Sequence, residues 1–394
     1  MKRKTVTMKA LLVTFDKYPD IDAGAIRVHM FARILKEAGY ETTVISMGKS
    51  TGNVEVTEDD EIHHISFRGE HDDILHKATY YLKFPLKLYL YLKEKNFDVI
   101  LHTQLDVNSL RVLQSYSFRK KIPIIYDSVE WFSESQFRNG KRARAYKRNN
   151  RYNLEYIQSP EAVIAISTYL ENHFLSRGIS TVRIPVIMNT VETEIRKEPP
   201  DNRVTVLYAG RPGKKDYLVN IINGLSSLSE QEKKGIVFKI AGCTKDQLIE
   251  QCGVERNTLE QTRICLKFLG KIPREQVLEE YQKADFSALI RPANERYAQA
   301  GFPTKFVESM CCSTPVICNI TSDLGMYARD GINSIIVNDI SSDEIAKALR
   351  RVISLSYEER SAMRINARKT ATECFDYKIY ADDFMTFVNQ LKAR

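Results

Sequence analysis

Gly301-Phe302-Pro303-Thr304-Lys305-Phe306-Val307-Glu308, followed by Ser313-Thr314-Pro315-Val316-Ile317, is the segment whose residue types could do chemistry. It reads as a tight loop, the opening turns of a helix, and a buried strand. A helix N-terminus at this point favours a bound diphosphate. Glu308, further along the helix, can accept hydrogen bonds from a ribose diol. Together they suit a sugar linked to a nucleoside diphosphate. The plainer alternative is an ordinary helix start carrying a surface glutamate.

A second segment shifts that balance. Tyr208-Ala209-Gly210-Arg211-Pro212-Gly213-Lys214-Lys215-Asp216 closes an apolar run with glycines and cations. Gly210 and Gly213 let a backbone approach phosphate closely. Arg211 offers a planar fork for phosphate oxygens, and Lys214 or Lys215 adds a point charge. Such charges stabilise a departing nucleoside diphosphate, where negative charge gathers during sugar transfer. Taken alone, this segment reads slightly better as a basic surface turn. The two segments together favour the ligand-binding reading.

The elements that must position these residues alternate in type. Lys9–Phe15, Thr42–Ser46, Val99–His102, Pro123–Tyr126 and Ala162–Ser167 are short apolar runs with helical segments between them. Ala25–Ala38 has Met30, Phe31, Ile34 and Leu35 on one face, and Gly39 follows as a C-terminal cap. The alternation restarts after Glu192–Arg203, a polar stretch containing Pro199-Pro200. New strand candidates are Val204–Tyr208, Gly235–Ala241, Cys265–Leu269, Phe286–Ile290, Pro315–Cys318 and Ser334–Val337. The expectation is an α/β chain of two doubly wound Rossmann-like domains facing a central cleft. Their bounds are 1–190 and 204–375. The terminal segment 376–394 forms an amphipathic helix that could cross back to the first domain.

Composition narrows the function classes. The chain has 394 residues, enough for two cores. Its net charge of +8 is too mild to imply nucleic acid by itself, and no basic stretch carries an RNA-binding aromatic spacing. No apolar run reaches bilayer-spanning length, and Ala10-Leu11-Leu12-Val13 is too short for a signal segment. A cytoplasmic protein is expected. All seven cysteines lie in the C-terminal half without a Cys-x-x-Cys pair, so reduced, packed thiols are expected and no zinc site.

Over Val204–Val337 the order of motifs resembles the donor domain of the family 4 glycosyltransferases, which have the GT-B fold. The matching pieces are Tyr208-Ala209-Gly210-Arg211 through Lys215-Asp216, Lys239-Ile240-Ala241-Gly242, Phe268-Leu269-Gly270, Pro303 through Glu308 with Pro315-Val316-Ile317, and Asp330-Gly331-Ile332-Asn333. The likeness is looser over the first half, where the family's glycine loop corresponds to Asp22-Ala23-Gly24-Ala25. The resemblance implies retaining, metal-independent, hexosyltransferase-type transfer from a UDP- or GDP-linked sugar, which is substrate and not cofactor. It implies that Arg211 and Lys215 grip the diphosphate and act in catalysis. Glu308 would hold the ribose. Gly301, Phe302, Thr304 and the adjoining Lys305 would contact the donor, Gly270 and Ile272 would border the base, and Gly24 would admit the donor phosphate.

Two departures stand out. Many relatives carry a first glutamate eight residues before Glu308, where this chain has Ala300. Many also carry a histidine that aligns here with Val129, within Asp127-Ser128-Val129-Glu130. Asp127 and Glu130 are then the polar candidates to orient an acceptor hydroxyl or to stabilise positive charge at the anomeric carbon. The alternative is that Asp127 caps a helix and Glu130 sits in its first turn. Arg291 could face the same site or form a surface ion pair.

Two stretches bear on the acceptor. Lys141–Arg151 has six basic residues and no acid, and Tyr80–Lys93 mixes aromatics, leucines and lysines. Contact with the anionic inner face of a membrane, to meet a lipid-linked acceptor, is one reading. The plainer one is a solvated basic helix beside an ordinary core helix, since most apolar stripes are core. The leading function is glycosyl transfer to a glycan or lipid-linked acceptor in surface polysaccharide or glycoconjugate synthesis. The alternatives are a UDP-sugar epimerase of the same fold and an inactive nucleotide-sugar-binding subunit.

Overall fold

Each apolar run named above becomes a strand, buried except for the half-exposed Leu266–Gly270, and the strands fall into two separate sheets. The computed structural model describes residues 7–18, 22–47, 55–56, 61–67, 74–190, 203–210, 213 and 215–394; for 55–56 and 74–79 it describes the backbone alone. Arg211, Lys214 and nearly all of the Pro-bearing segment 192–203 lie outside the described residues. The chain divides into two compact units. Unit 1 is Met1–Trp131, Arg142–Met188 and Tyr377–Arg394; unit 2 is Phe132–Lys141 and Asn189–Asp376.

In unit 1 the elements run β1 (Lys9–Val13), α1 (Ala23–Glu37), β2 (Glu41–Ser46), β3 (Glu55–Val56), β4 (His63–Ser66), α2 (Ile74–Lys93), β5 (Val99–His102), α3 (Val107–Lys120), β6 (Ile124–Ser128), α4 (Arg144–Arg151), β7 (Ala162–Ala165), α5 (Thr168–Ser176) and β8 (Ser180–Arg183). The sheet order is β3-β4-β2-β1-β5-β6-β7-β8. Its pairings are parallel except β3 with β4. The order reverses between β1 and β5. Helix α1 covers one face of this sheet through Phe31, Ile34 and Leu35, and α2 and α3 cover the other through Phe84, Leu88 and Leu113.

Unit 2 repeats the plan with β9 (Val204–Ala209), α6 (Leu218–Ser226), α7 (Glu230–Lys234), β10 (Ile236–Ala241), α8 (Lys245–Cys252), α9 (Arg256–Thr262), β11 (Leu266–Gly270), α10 (Arg274–Lys283), β12 (Phe286–Leu289), α11 (Arg296–Ala300), α12 (Thr304–Cys311), β13 (Val316–Cys318), β14 (Ser334–Ile336), α13 (Ser342–Ser354) and α14 (Tyr357–Cys374). Its sheet order is β11-β10-β9-β12-β13-β14, all parallel. The order reverses between β9 and β12. Open α/β sheets bind ligands beyond the carboxyl ends of the strands at such reversals. The last helix, α15 (Ala381–Lys392), packs Phe384, Phe387, Val388 and Leu391 into the core of unit 1. Cys311, Cys312 and Cys318 are buried free thiols, and burial pushes the Cys312 thiol up to about 12.

Candidate active site

Three adjacent strands of unit 2 end in glycine. Gly210 follows β9 and donates its N–H to Ala241 O (2.9 Å); Gly242 follows β10 and donates to Gly270 O (2.7 Å), at the end of β11. The result is a ledge of bare backbone along the carboxyl edge of the sheet. Gly242 is required for two reasons. Its φ is +105°, and a Cβ there would sit 2.3 Å from Gly210 O. At Gly210 a Cβ would meet the Lys305 ammonium at 2.2 Å. The first strand end and the start of α12 therefore touch.

Beside that contact lies a charge cluster at the β9/β12 reversal. Asp216 is 7% exposed. Its Oδ1 accepts from Arg291 Nε (2.8 Å), and its Oδ2 accepts from Tyr208 OH (3.0 Å) and from the Lys305 ammonium. Lys305 also reaches Tyr208 OH (3.2 Å). Burial alone would raise the Asp216 carboxyl; Lys305 and Arg291 overcome it and hold the group well below the usual carboxylate range. Two cations thus share one carboxylate, leaving one net positive charge beside Gly210. The terminal nitrogens of Arg291 have no protein acceptor among the described residues. Arg291 is therefore neither a solvated surface residue nor a member of a balanced pair. An excess of buried cationic donors is stabilised by an anion.

Helix α12 begins at Thr304 behind Pro303, and no side chain caps it. The first N–H groups of a helix lack intrahelical partners, so Thr304 and Lys305 offer their backbone to an anion. One turn on, Glu308 Oε1 pairs with Arg274 Nη1. Among the described residues Glu308 Oε2 has no partner. A carboxylate clamped by one oxygen presents the other with a fixed direction, as a ribose diol requires. Lys305 and Glu308 are three residues apart on one helix and share a face.

The remaining predicted donor residues take more modest places. Gly301 N–H is used by Tyr297 O (3.1 Å). Phe302 is buried, with its ring against Tyr327 and Phe375, so it contributes packing and backbone only. Ile272, like Leu269, packs against the buried cluster of Leu207, Ala209, Ala241 and Tyr281. The Lys215 ammonium lies over the Phe132 ring (5.8 Å), and its carbonyl accepts from Tyr297 OH (3.1 Å). Ala300 is fully buried. A further cavity of about 230 Å³ borders Gly213, Asp216, Cys252 and Tyr297, below the size usual for a small-molecule site.

Unit 1 carries its own polar network at its reversal, between β1 and β5. Thr103 Oγ1 donates to Thr14 Oγ1 (2.9 Å), which donates to Asp16 Oδ2 (2.7 Å). The Asp16 carboxyl fills the space above Gly24, where a Cβ would come within 2.4 Å of it. Burial lifts the Asp16 carboxyl against the pull of the Thr14 hydrogen bond. The negative charges of Asp22, Asp127 and Glu130 add to the effect and bring it to about 6. Asp127 caps no helix and offers no open carboxylate. It is 2% exposed, and Arg27 occupies both its oxygens through Nε and Nη2 at 2.9–3.0 Å. Glu130 is half-buried; its backbone carbonyl, and not a helix, receives Asn149 Nδ2 (3.0 Å).

Sequence reasoning missed Asp16, Tyr208, Arg274 and the role of Asp216. Their signal was weak but present. Asp16 and Asp216 each follow the strand that begins a Rossmann-like unit, and their place after that strand is the one signal the sequence offers, since an aspartate is common in any turn.

The profile described as Glycosyltransferase Family 4 matches residues 24–195, and that described as Glycosyl transferases group 1 matches residues 191–370. A curated relative, the uncharacterized glycosyltransferase MJ1069 of Methanocaldococcus jannaschii, is 22% identical over 321 residues, 77% of this chain and 78% of the relative. Among solved structures, sucrose-phosphate synthase from Thermosynechococcus elongatus superposes with a TM-score of 0.75 at 16% identity, covering 98% of this chain and 99% of that one. HepE from Anabaena, in complex with UDP and glucose, superposes with a TM-score of 0.69 at 16% identity, covering 97% and 100%. With the two profiles together spanning residues 24–370, the chain belongs to the family 4 glycosyltransferases of GT-B fold.

Proposed function

We propose that this glycosyltransferase moves a hexose, with retention at the anomeric carbon, from a nucleoside-diphosphate sugar to a glycan or lipid-linked acceptor. The observation that carries the donor assignment is the pair Lys305 and Arg291 sharing Asp216 beside Gly210 and the start of α12. The diphosphate would lie on the glycine ledge, with Lys305, Arg291, Lys215 and Arg211 as its cations. Glu308 would hold the ribose hydroxyls. As the sugar–phosphate bond breaks, charge builds on the leaving diphosphate, and these cations stabilise it more than the ground state. In this reading they take the part that a divalent metal plays elsewhere. HepE was solved with UDP and glucose, which makes a UDP-hexose the first donor to test. On the acceptor side, Asp16 and Glu130 are the carboxylates proposed to meet the incoming hydroxyl. Surface polysaccharide or glycoconjugate synthesis in the cytoplasm is the setting that suits such a reaction.

A thermal-shift panel of UDP-, GDP- and ADP-sugars tests the donor class, because a ligand that binds only the folded state raises its stability. One base family is expected to raise Tm, and Lys305→Ala to abolish the rise. No shift with any nucleotide would remove the donor assignment. The buried Ala300 favours a second reading, an inactive nucleotide-sugar-binding subunit. A nucleotide-dependent Tm shift with no donor turnover or hydrolysis, whatever acceptor is offered, would select it.

A further inference from the structure

Helix α2 is apolar on two faces, and only one of them is used by the fold. Tyr80, Phe84, Leu88 and Leu92 recur every four residues and are buried against the sheet. On the opposite side Leu82 is 82% exposed, Leu86 60% and Leu90 54%. Of the 17 exposed large hydrophobic side chains among the described residues, five fall within residues 81–90, the other two being Tyr81 and Tyr89. Scattered exposed leucines mean little; a row of them along one helix marks an interaction surface.

The charges around the row say what covers it. From Ile74 to Lys93 the helix has lysines and no acid. Lys83 and Lys93 are exposed beside the leucines. Lys120, in the acid-free run Arg119-Lys120-Lys121 that ends α3, bonds Asn96 just beyond α2 (2.7 Å). Phe118, next to that run, is 85% exposed. A second copy docking through the same face would bring lysine against lysine, so the pattern does not suit self-association. A leucine row with tyrosines along one side and lysines along the other suits a bilayer surface, where acyl chains, interface and phosphate lie side by side.

We infer that the outer face of α2 is a docking surface for an anionic phospholipid membrane, with Leu82, Leu86 and Leu90 entering the acyl boundary and Lys83 and Lys93 on the headgroups. No described helix is long and apolar enough to cross a membrane, so the contact is peripheral. Its position serves the acceptor side of the proposed reaction. The Tyr81 ring stacks edge-on against Phe15 (centroids 5.5 Å apart), one residue before Asp16. The N-terminal half of the docked helix therefore lies by the carboxyl edge of the unit 1 sheet, where a lipid-borne hydroxyl would be met. The docking needs no assumption about the donor.

Flotation with phosphatidylcholine vesicles, with and without phosphatidylglycerol, tests the inference on the full chain. The wild type is expected to float with the anionic vesicles at low salt and to be released by high salt. Leu82→Ser, Leu86→Ser and Leu90→Ser combined should abolish flotation. Lys83→Glu with Lys93→Glu should weaken it by roughly tenfold or more, since each lysine near an anionic surface contributes about a factor of five. All five positions are exposed, and an unchanged nucleotide-induced Tm shift in the variants would show that the fold and donor site are intact. Flotation that is absent in the wild type, equal on neutral vesicles, or unaffected by the leucine changes overturns the inference. So does a wild-type dimer that the leucine changes render monomeric.

Discussion

Asp16 and Asp216 occupy equivalent places in the two units, after the first strand and at the sheet reversal, yet their environments push them in opposite directions. Asp216 is held ionised by two cations. Its stabilising effect is present above the ordinary carboxylate pKa and is lost only as pH falls through its lowered folded value, in strong acid. Asp216→Asn strands Lys305 and Arg291 in a buried site and should cost about 3–5 kcal/mol, read by denaturant unfolding at neutral pH. Asp16 is lifted from 3.8 to about 6. A raised carboxylate binds its proton more tightly when folded, so it opposes folding once ionised. That penalty is absent below about pH 4, grows between 4 and 6, and is complete above 6. Asp16→Asn keeps an acceptor for Thr14 and removes the charge. It should therefore raise stability at pH 7.5 by about 1–3 kcal/mol and leave it unchanged near pH 4. A stabilising substitution that also slows transfer is the mark of a group kept for function. If Asp16→Asn destabilises the protein at pH 7.5, the carboxyl is not strained as described. Glu308→Ala should weaken nucleotide binding by about 1.5–3 kcal/mol in calorimetry, and Arg274→Ala by less, since Arg274 acts only by aiming Glu308.

At the scale of elements, the glycine ledge is the feature most exposed to a single change. Gly242→Ala forces a left-handed conformation on an alanine and drives its Cβ into Gly210 O. A loss of about 2 kcal/mol or more is expected from urea unfolding, together with weaker nucleotide binding, because the ledge itself shifts. This part of the site was legible in the sequence. Buried parallel strands read as continuous apolar runs, and a glycine closing each of β9, β10 and β11 stands out against them. The elements that escaped sequence reading lie at or next to the edges of the unit 1 sheet, β4 inside the two-residue β3 and β8 at the far end. His63–Ser66 and Ser180–Arg183 have half-buried polar positions and no apolar run to mark them. The Thr103–Thr14–Asp16 chain escaped because it joins residues 89 apart, across a strand pairing no local pattern encodes. Helix α2 shows a third limit. Its leucines and aromatics signal burial on any periodicity, and only the packed sheet tells which face the core takes and which it leaves outside.

Across the whole molecule the two units are not successive segments of chain. Unit 1 is completed by Tyr377–Arg394, and the outgoing and returning strands of chain run side by side: Tyr377 N–H bonds Met188 O (3.0 Å), and Asp376 accepts from Thr190 N–H (3.1 Å). The returning helix α15 buries Phe384, Phe387, Val388 and Leu391 against α1 and the sheet. Removing four such side chains from a core forfeits about 1.5–3 kcal/mol each, roughly 6–12 kcal/mol together. A domain is stable by only about 5–15 kcal/mol. Residues 1–188 alone should therefore fail to fold cooperatively, whereas the same residues joined by a flexible linker to 377–394 should recover a single sharp unfolding transition in circular dichroism. The leucines of α2 cannot account for that difference, because both fragments contain them. A soluble 1–188 fragment that unfolds cooperatively, with no gain from the added helix, would mean that α15 merely rests on unit 1 and supplies none of its core.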